Sequence, residues 1–489
     1  MMNESAKGDD ASNTSSSSSN VESARHSESA HKTGCCAKLK HGYEQVQLEP
    51  VLFIQNLVSQ MVYVTSQDLM VEKACRVNHD LTPTVCNDLN SYDYTDEVIH
   101  DQVSEFLMWR NIFETAIKFA VVLFMGPWSD RVGRRGPLML CLLMLMGESG
   151  LMLVNSFCPQ WPLEMMLLCS VPYALSGGTY GLLMLAFAHT ADTTGRKRRT
   201  FRMGYLDTFW YFGQSIGLAV TPLVKDVAGY AGVFGSAIVL YILAAAYVFF
   251  RLRNESPNKM EITQGSQGKC CVACETEYIS LSVSAVMRKR PDNARSLILV
   301  LILIMMLDSL ASSGAMNVRY LFVLRAVDWT SAQYSYWSSG TSFLSVVGGF
   351  VLVPLVTLVC TLPDQLVGVA GSVSRMAASL SYATINSASE AWLLYLGSVV
   401  GCFSVLAPVA VRSCLSKLAP ADIGSVFAVM AACESLVPFL SAPIYRALYN
   451  ATNTLHPGYY NFFSTGVYLV MILLFGWLLK SVDLARPET

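Results

Sequence analysis

Twelve apolar stretches, each near the length needed to cross a bilayer, run through this chain and leave little room for any other architecture. They read as 50–70, 105–126, 137–156, 163–190, 203–224, 232–250, 296–324, 338–360, 365–386, 391–411, 425–446 and 461–480. A helix rises about 1.5 Å per residue, so roughly 20 residues span the ~30 Å hydrocarbon layer. Backbone amides in lipid must pair within their own segment, which makes each stretch a helix. Of 489 residues, 53% are apolar and only 14% charged, where a soluble domain carries about 25% charged residues. The expected class is an all-α membrane protein with twelve transmembrane helices. A soluble enzyme, a disordered chain and a small disulfide scaffold are excluded. A net charge of −2 gives no basic field for nucleic acid.

Residues 1–47 are polar and Ser-rich, with a run at Ser15–Ser19, and cannot bury enough apolar surface to fold. The expected organisation is a disordered tail (1–47), a six-helix half (48–250), a central loop (251–295), a second six-helix half (296–480) and a short tail (481–489). Lys and Arg in short loops set orientation. The loops at 127–136, 191–202 and 412–424 hold ten of them, against five on the opposite side. Both termini and the central loop are therefore expected in the cytoplasm. Segment 71–104 is then extracellular, where Cys75 and Cys86 can close a local disulfide. Asn450-Ala451-Thr452 becomes a glycan acceptor in the last extracellular loop. Cys35, Cys36, Cys270, Cys271 and Cys274 read as ordinary or lipidated thiols, because no second pair or nearby His completes a metal set. No metal and no cofactor is expected, and neither tail carries an acidic dileucine sorting motif, which favours the plasma membrane over the lysosome.

The strongest motif is Gly126-Pro-Trp-Ser-Asp130-Arg131-Val-Gly133-Arg134-Arg135-Gly136, between the second and third stretches. Gly126 and Gly133 permit a tight turn and close helix approach. Asp130 can cap a helix N-terminus or pair with a cation. Arg134 and Arg135 anchor the loop on the cytoplasmic side. This resembles the signature loop of the major facilitator superfamily, which supports the conformational cycle and does not touch substrate.

Further pieces narrow the resemblance. Glu49-Pro50 opens the first stretch, with Asn56 inside it; Ala191-Asp192 precedes Arg199-Thr200-Phe201-Arg202-Met203; Arg412 precedes Leu415-Ser416-Lys417-Leu418. Together they are similar to the proton-coupled folate transporter family, solute carrier family 46, over about 48–480. The resemblance implies proton coupling at Asp207, four places after the Arg-Thr-Phe-Arg-Met block, and anion binding at Arg412. The folate carrier's segment-4 Arg and Asp fall on Ser170 and Gly178, and its segment-7 His near Ser312. That implies a paralogue of a family that also carries muramyl peptides and cyclic dinucleotides.

Charged residues inside spans add candidates of their own, since each is costly in lipid and should face a wet cavity or a partner. Arg110, Glu114 and Lys118 follow at i, i+4 and i+8 on one helical face. They read either as an anion-attracting stripe or as a self-neutralised network. Arg375 lies about ten residues inside its stretch and offers a planar fork for an anion; the competing reading pairs it with Glu434 or Asp308. Glu148, Asp308 and Glu434 are intramembrane carboxyls able to carry a proton through a transport cycle. Gly213-x-x-x-Gly217 reads as a close-packing face.

The expectation is a secondary active transporter, with proton-coupled symport of a small organic anion across the bilayer. Arg375, Arg412, Arg110 and Lys118 would meet substrate, and Asp207, Glu114, Asp308, Glu148 or Glu434 would carry the proton. A non-transporting receptor or scaffold, or an uncoupled facilitator, are the alternatives.

Overall fold

The computed structural model describes residues 48–79, 81, 86, 93–196, 198–252, 273–290, 293–329, 331–420, 422–452 and 456–481. The Ser-rich tail, with Cys35 and Cys36, and the loop cysteines Cys270 and Cys271 lie outside the described residues. Helix α1 (Glu49–Lys73) starts with Pro50 and Glu49 in its first turn, where a missing N–H costs nothing and an acid meets the dipole. A π turn, Ala74–Asn78, follows, and Cys75 is bonded to Cys86. Helix α2 (Asp93–Val132) ends at Gly133, whose φ of 97° lets the chain reverse into α3 (Arg135–Phe157).

The apolar stretch 163–190, read as one segment, is two helices, α4 (Met165–Leu175) and α5 (Gly178–Thr193). The break falls at Gly177 and Gly178, with φ of 74° and 57°, a region closed to most side chains. The stretches 203–224 and 232–250 are two helices, taken together as α6 (Arg199–Arg251) and separated by a kink at Gly229, whose φ of 61° and ψ of −161° are not helical.

The central loop also differs from expectation. It holds a helix, α7 (Ala273–Met287), too short to span but bearing a buried stripe of Ser282, Ala285 and Val286. Ser282 donates to the Leu123 carbonyl of α2 at 2.7 Å, and Arg290 just beyond pairs with Asp422 at 3.0 Å.

The second half comprises α8 (Ala294–Ala326), α9 (Ser331–Pro354, continued by a π turn), α10 (Asp364–Ala383), α11 (Trp392–Val400) joined by a 3₁₀ turn to α12 (Leu406–Leu418), α13 (Ile423–Thr452) and α14 (Tyr459–Ser481). Among the described residues, nine helices are long and apolar enough to cross a membrane, α6 counting once. Helices α1 and α10 coincide with two further apolar stretches but are too polar to qualify by composition. Large side chains such as Leu168, Leu243, Phe250 and Leu473 are exposed on outward faces, as a lipid solvent requires and water would not tolerate.

Close packing relies on small residues. A Cβ on Gly213 or Gly217 of α6 would overlap the backbone of Phe53 or Leu57 in α1, so the two helices cross almost backbone to backbone. Asn56 secures the crossing by donating to the Trp210 carbonyl at 2.9 Å.

Candidate functional site

At the end bearing the 126–136 loop, the two halves are bolted together. The Asp130 carboxylate accepts from the backbone N–H groups of Gly424 and Ser425 at 3.1 and 3.0 Å and from the Ser425 hydroxyl at 3.0 Å. It thus caps the N-terminus of α13, where exposed N–H groups and the helix dipole favour an anion. Arg134 bridges Asp130 at 2.6 Å and Asp192 at 2.9 Å. A Cβ on Gly424 would strike both Asp130 and Arg134, so only glycine lets the loop seat. Gly126 packs equally closely on Gly424 and Ala428. Arg135 points away, its guanidinium 4.5 Å from the Phe249 ring, and Arg131 is exposed.

A second layer lies beside it. The Thr200 hydroxyl on α6 donates to Asp364 of α10 at 2.6 Å, Ser413 of α12 donates to the same carboxylate at 2.9 Å, and Lys417 pairs with it at 2.5 Å. Arg199 donates to the Ser416 carbonyl at 2.9 Å, and Arg202 pairs with Glu49 at 2.6 Å. The Arg-Thr-Phe-Arg-Met and Leu-Ser-Lys-Leu pieces are therefore two sides of one seam.

Deeper, Asp207 of α6 meets Arg412 of α12. One guanidinium nitrogen donates to both carboxylate oxygens, at 2.9 and 2.7 Å. The opposite face of that guanidinium lies 4.3 Å from the Phe187 ring, a cation–π contact. Glu434 shares a tight void of ≈ 10 Å³ with Arg412, Tyr180 and Phe187, about the smallest volume that can hold one water. The second pair, Arg375 of α10 and Asp308 of α8, is 3.1 Å apart. The Arg375 Nε–H is directed to the Ser404 carbonyl at 3.2 Å, and the facing Asp308 oxygen accepts no hydrogen bond. This is a charge contact without a locked hydrogen bond.

Away from the sealed end opens a cavity of ≈ 330 Å³. Tyr211, Gln214 and Leu218 of α6 form one wall, and α8, α9, α10, α11 and α14 form the rest, with Arg319, Trp337, Arg375, Tyr382 and Tyr468 prominent. Among the described residues, its lining contains two arginines and no carboxylate. Tyr211 lies one helical turn beyond Asp207, so the inter-half pair sits next to the cavity floor. Arg375 lines the cavity itself.

The structure does not bring Arg110, Glu114 and Lys118 to this cavity. Glu114 is bound between its neighbours, at 2.6 Å from Arg110 and 3.3 Å from Lys118. Lys118 also lies 5.0 Å over the Tyr173 ring. Glu148, buried in α3, is outside the lining as well. Asn450 is exposed in the last turns of α13. Among the described residues, no group of three or more His, Cys, Asp or Glu could hold a metal.

Sequence reasoning missed Arg319, Trp337 and Ser398. One signal was readable: Ser338, Thr341, Ser342 and Ser345 recur at i, i+3, i+4 and i+7 in an otherwise apolar span, a hydroxyl face on one side of a helix. All four line the cavity.

Comparison with known proteins agrees with this architecture. The model of the Major Facilitator Superfamily matches residues 112–442. The chain is 23% identical over 459 residues to a probable peptidoglycan muropeptide transporter of solute carrier family 46 from Drosophila melanogaster, covering 90% of this chain and 87% of that one. It is 24% identical to a lysosomal proton-coupled steroid conjugate and bile acid symporter from Gallus gallus, covering 88% and 93%. It is also 24% identical to the proton-coupled folate transporter of Rattus norvegicus, covering 77% and 79%. Among solved structures, it resembles the human organic anion transporter MFSD10 with a TM-score of 0.65 at 15% identity, covering 88% and 98%. The E. coli fucose:proton symporter gives a TM-score of 0.60 at 13% identity, covering 88% and 97%.

Proposed function

Because this chain belongs to the Major Facilitator Superfamily, we propose that it is a secondary active transporter, not an enzyme, that carries a small organic anion by proton symport. The observation that supports this best is the cavity lined, among the described residues, by two arginines and no carboxylate, adjoining two buried acid–arginine pairs. An anion is attracted there, and a proton can be taken up on the acid of either pair.

The proposed mechanism follows from the contacts. Opening the sealed end requires the Asp130 cap, the Thr200–Asp364 seam and the Asp207–Arg412 pair to part. Protonating Asp207 removes the charge that holds Arg412, which frees the halves 48–250 and 296–480 to rock. Protonating Asp308 removes the charge that faces Arg375. Glu434, near Arg412, is a third acid able to relay the proton, while Arg110, Glu114, Lys118 and Glu148 act as a structural network. The proton gradient is the driving force, with no further cofactor. In this reading both termini face the cytoplasm, the sealed end is cytoplasmic, and the protein works at the plasma membrane.

The relatives suggest where to begin. Uptake of labelled folate, taurocholate and muramyl dipeptide by cells expressing the chain, at pH 5.5 and 7.4, tests the proposal. Uptake favoured at pH 5.5 supports symport; uptake equal at both pH values indicates an uncoupled facilitator. Binding of any of these without uptake indicates a receptor.

A further inference from the structure

Within this transport reading, we propose that Arg319, rather than Arg375 or Arg412, holds the negative group of the substrate, and that the substrate is a flat-ringed organic oxyanion. Three arginines lie in or near the cavity, and their surroundings differ. Arg412 does not line it; Asp207 and the Phe187 ring occupy its guanidinium. Arg375 lines it but has Asp308 at 3.1 Å behind it. Arg319 lines it as well, and its guanidinium lies 5.7 Å from the Tyr382 ring, with Tyr460 and Tyr468 near enough to feel its charge. Among the described residues, no carboxylate stands within ion-pair distance of it. The unbalanced positive charge of the cavity is therefore that of Arg319.

Position adds to the argument. Arg319 lies seven residues before the end of α8, in the half of the helix away from the sealed end. An anion entering from the open side meets it before Arg375. A guanidinium there offers a planar fork that matches the two oxygens of a carboxylate or sulfonate. The Tyr382 ring beneath it keeps the fork oriented without cancelling its charge.

The neighbouring wall defines the rest of the ligand. Tyr334 lies 5.8 Å from Trp337, and Trp337 lies 6.0 Å from Tyr382, centroid to centroid. The wall is fixed in place by one hydroxyl. The Ser398 hydroxyl donates to the Leu394 carbonyl at 2.8 Å and accepts from Trp337 Nε1 at 3.1 Å, with the Thr341 and Tyr382 hydroxyls 2.8 and 3.5 Å from it. A preset row of aromatic faces and edges favours a planar ring in offset or edge contact. The volume of ≈ 330 Å³ lies at the small end of ligand sites, which run from about 300 to 1,000 Å³. It suits a fused ring with a short acidic arm better than a long chain. The hydroxyls of Ser338 and Ser342 on the adjoining α9 face can meet polar ring substituents.

The test uses the purified full-length chain in lipid nanodiscs. Naphthalene-2-sulfonate and its uncharged sulfonamide serve as matched ligands, with binding read by calorimetry and the ligand-free melting temperature measured beside it. The wild-type chain should bind the sulfonate at least about tenfold more tightly than the sulfonamide. Arg319→Gln should weaken sulfonate binding by about tenfold to a hundredfold, the range for deleting a charged hydrogen-bond partner, and leave the sulfonamide unchanged. Arg319→Lys should recover part of the loss, since an ammonium keeps the charge but not the fork. If Arg319→Gln melts early, Arg319→Lys and Tyr382→Leu decide: the first should weaken only the sulfonate, the second both ligands. No preference for the sulfonate in the wild type, or unchanged binding in the Arg319 variants, overturns the proposal. Charge-selective binding without uptake into vesicles would sink the transport reading and leave this site standing. Uptake with unchanged KM in Arg319→Gln would do the reverse.

Discussion

Asp207→Asn is the most informative single change, because the carboxylate it removes joins the two halves. In the wild type, one nitrogen of Arg412 donates to both oxygens of Asp207, at 2.9 and 2.7 Å, in a buried setting. Asparagine keeps the shape and one acceptor but removes the charge. Breaking a buried pair from one side costs about 3–5 kcal/mol, since the remaining charge is left uncompensated. Phe187 against the other face of Arg412 offsets some of this, by up to about 2 kcal/mol where desolvated. With that offset in full, a net bias of about 1–3 kcal/mol against the closed seam remains, on the order of a 5- to 150-fold shift in the conformational equilibrium. Cys414 reports it directly. It is buried in the seam, with Sγ 3.8 Å from Asp364. In a background with the other free cysteines replaced by serine, a membrane-permeable maleimide should label Cys414 at least about fivefold faster in Asp207→Asn than in the unsubstituted chain. The variant should also lose concentrative uptake yet retain exchange of substrate across the membrane, because exchange does not need the proton to leave. Replacing Arg412 with Gln in the same chain should return the labelling rate toward its starting value. Unchanged labelling with intact, pH-dependent concentrative uptake would refute the reasoning and move the coupling role to Asp308 or Glu434.

Asp130→Asn should weaken the cap on α13 by about 1–2 kcal/mol and accelerate Cys414 labelling several-fold while slowing uptake. Arg375→Ala should abolish uptake at normal surface expression, and Arg375→Lys should restore only part of it, as measured by initial rates; unchanged rates in Arg375→Ala would make its pairing with Asp308 purely structural. Gly217→Val should lower the melting temperature and the surface expression of the chain, because its side chain would enter the Leu57 backbone of α1.

Helical class was legible because lipid imposes an unmistakable run of apolar residues on each span. Element boundaries were less so. Nothing in hydropathy marks the left-handed pair Gly177–Gly178 inside an apolar stretch. The short α7 stays below spanning length and so passed for loop. Candidate charges could be enumerated from the sequence, but their partners could not. Asp207 and Arg412 are 205 residues apart, and nothing local ties them. Arg110, Glu114 and Lys118 are neighbours on one helix, so their mutual pairing was one of two readings open from spacing alone. Arg319 escaped notice because it sits near the end of an apolar stretch, where a lone arginine looks like a snorkelling anchor. Only the folded wall of Tyr334, Trp337 and Tyr382 distinguishes it.

Proton movement tests the central claim most directly. The purified chain is reconstituted in vesicles with no pH gradient and no membrane potential, and a transported anion is added outside while external pH and uptake are recorded together. The account predicts external alkalinisation in step with uptake, abolished in Asp207→Asn. Uptake of the anion with no accompanying proton movement would contradict it.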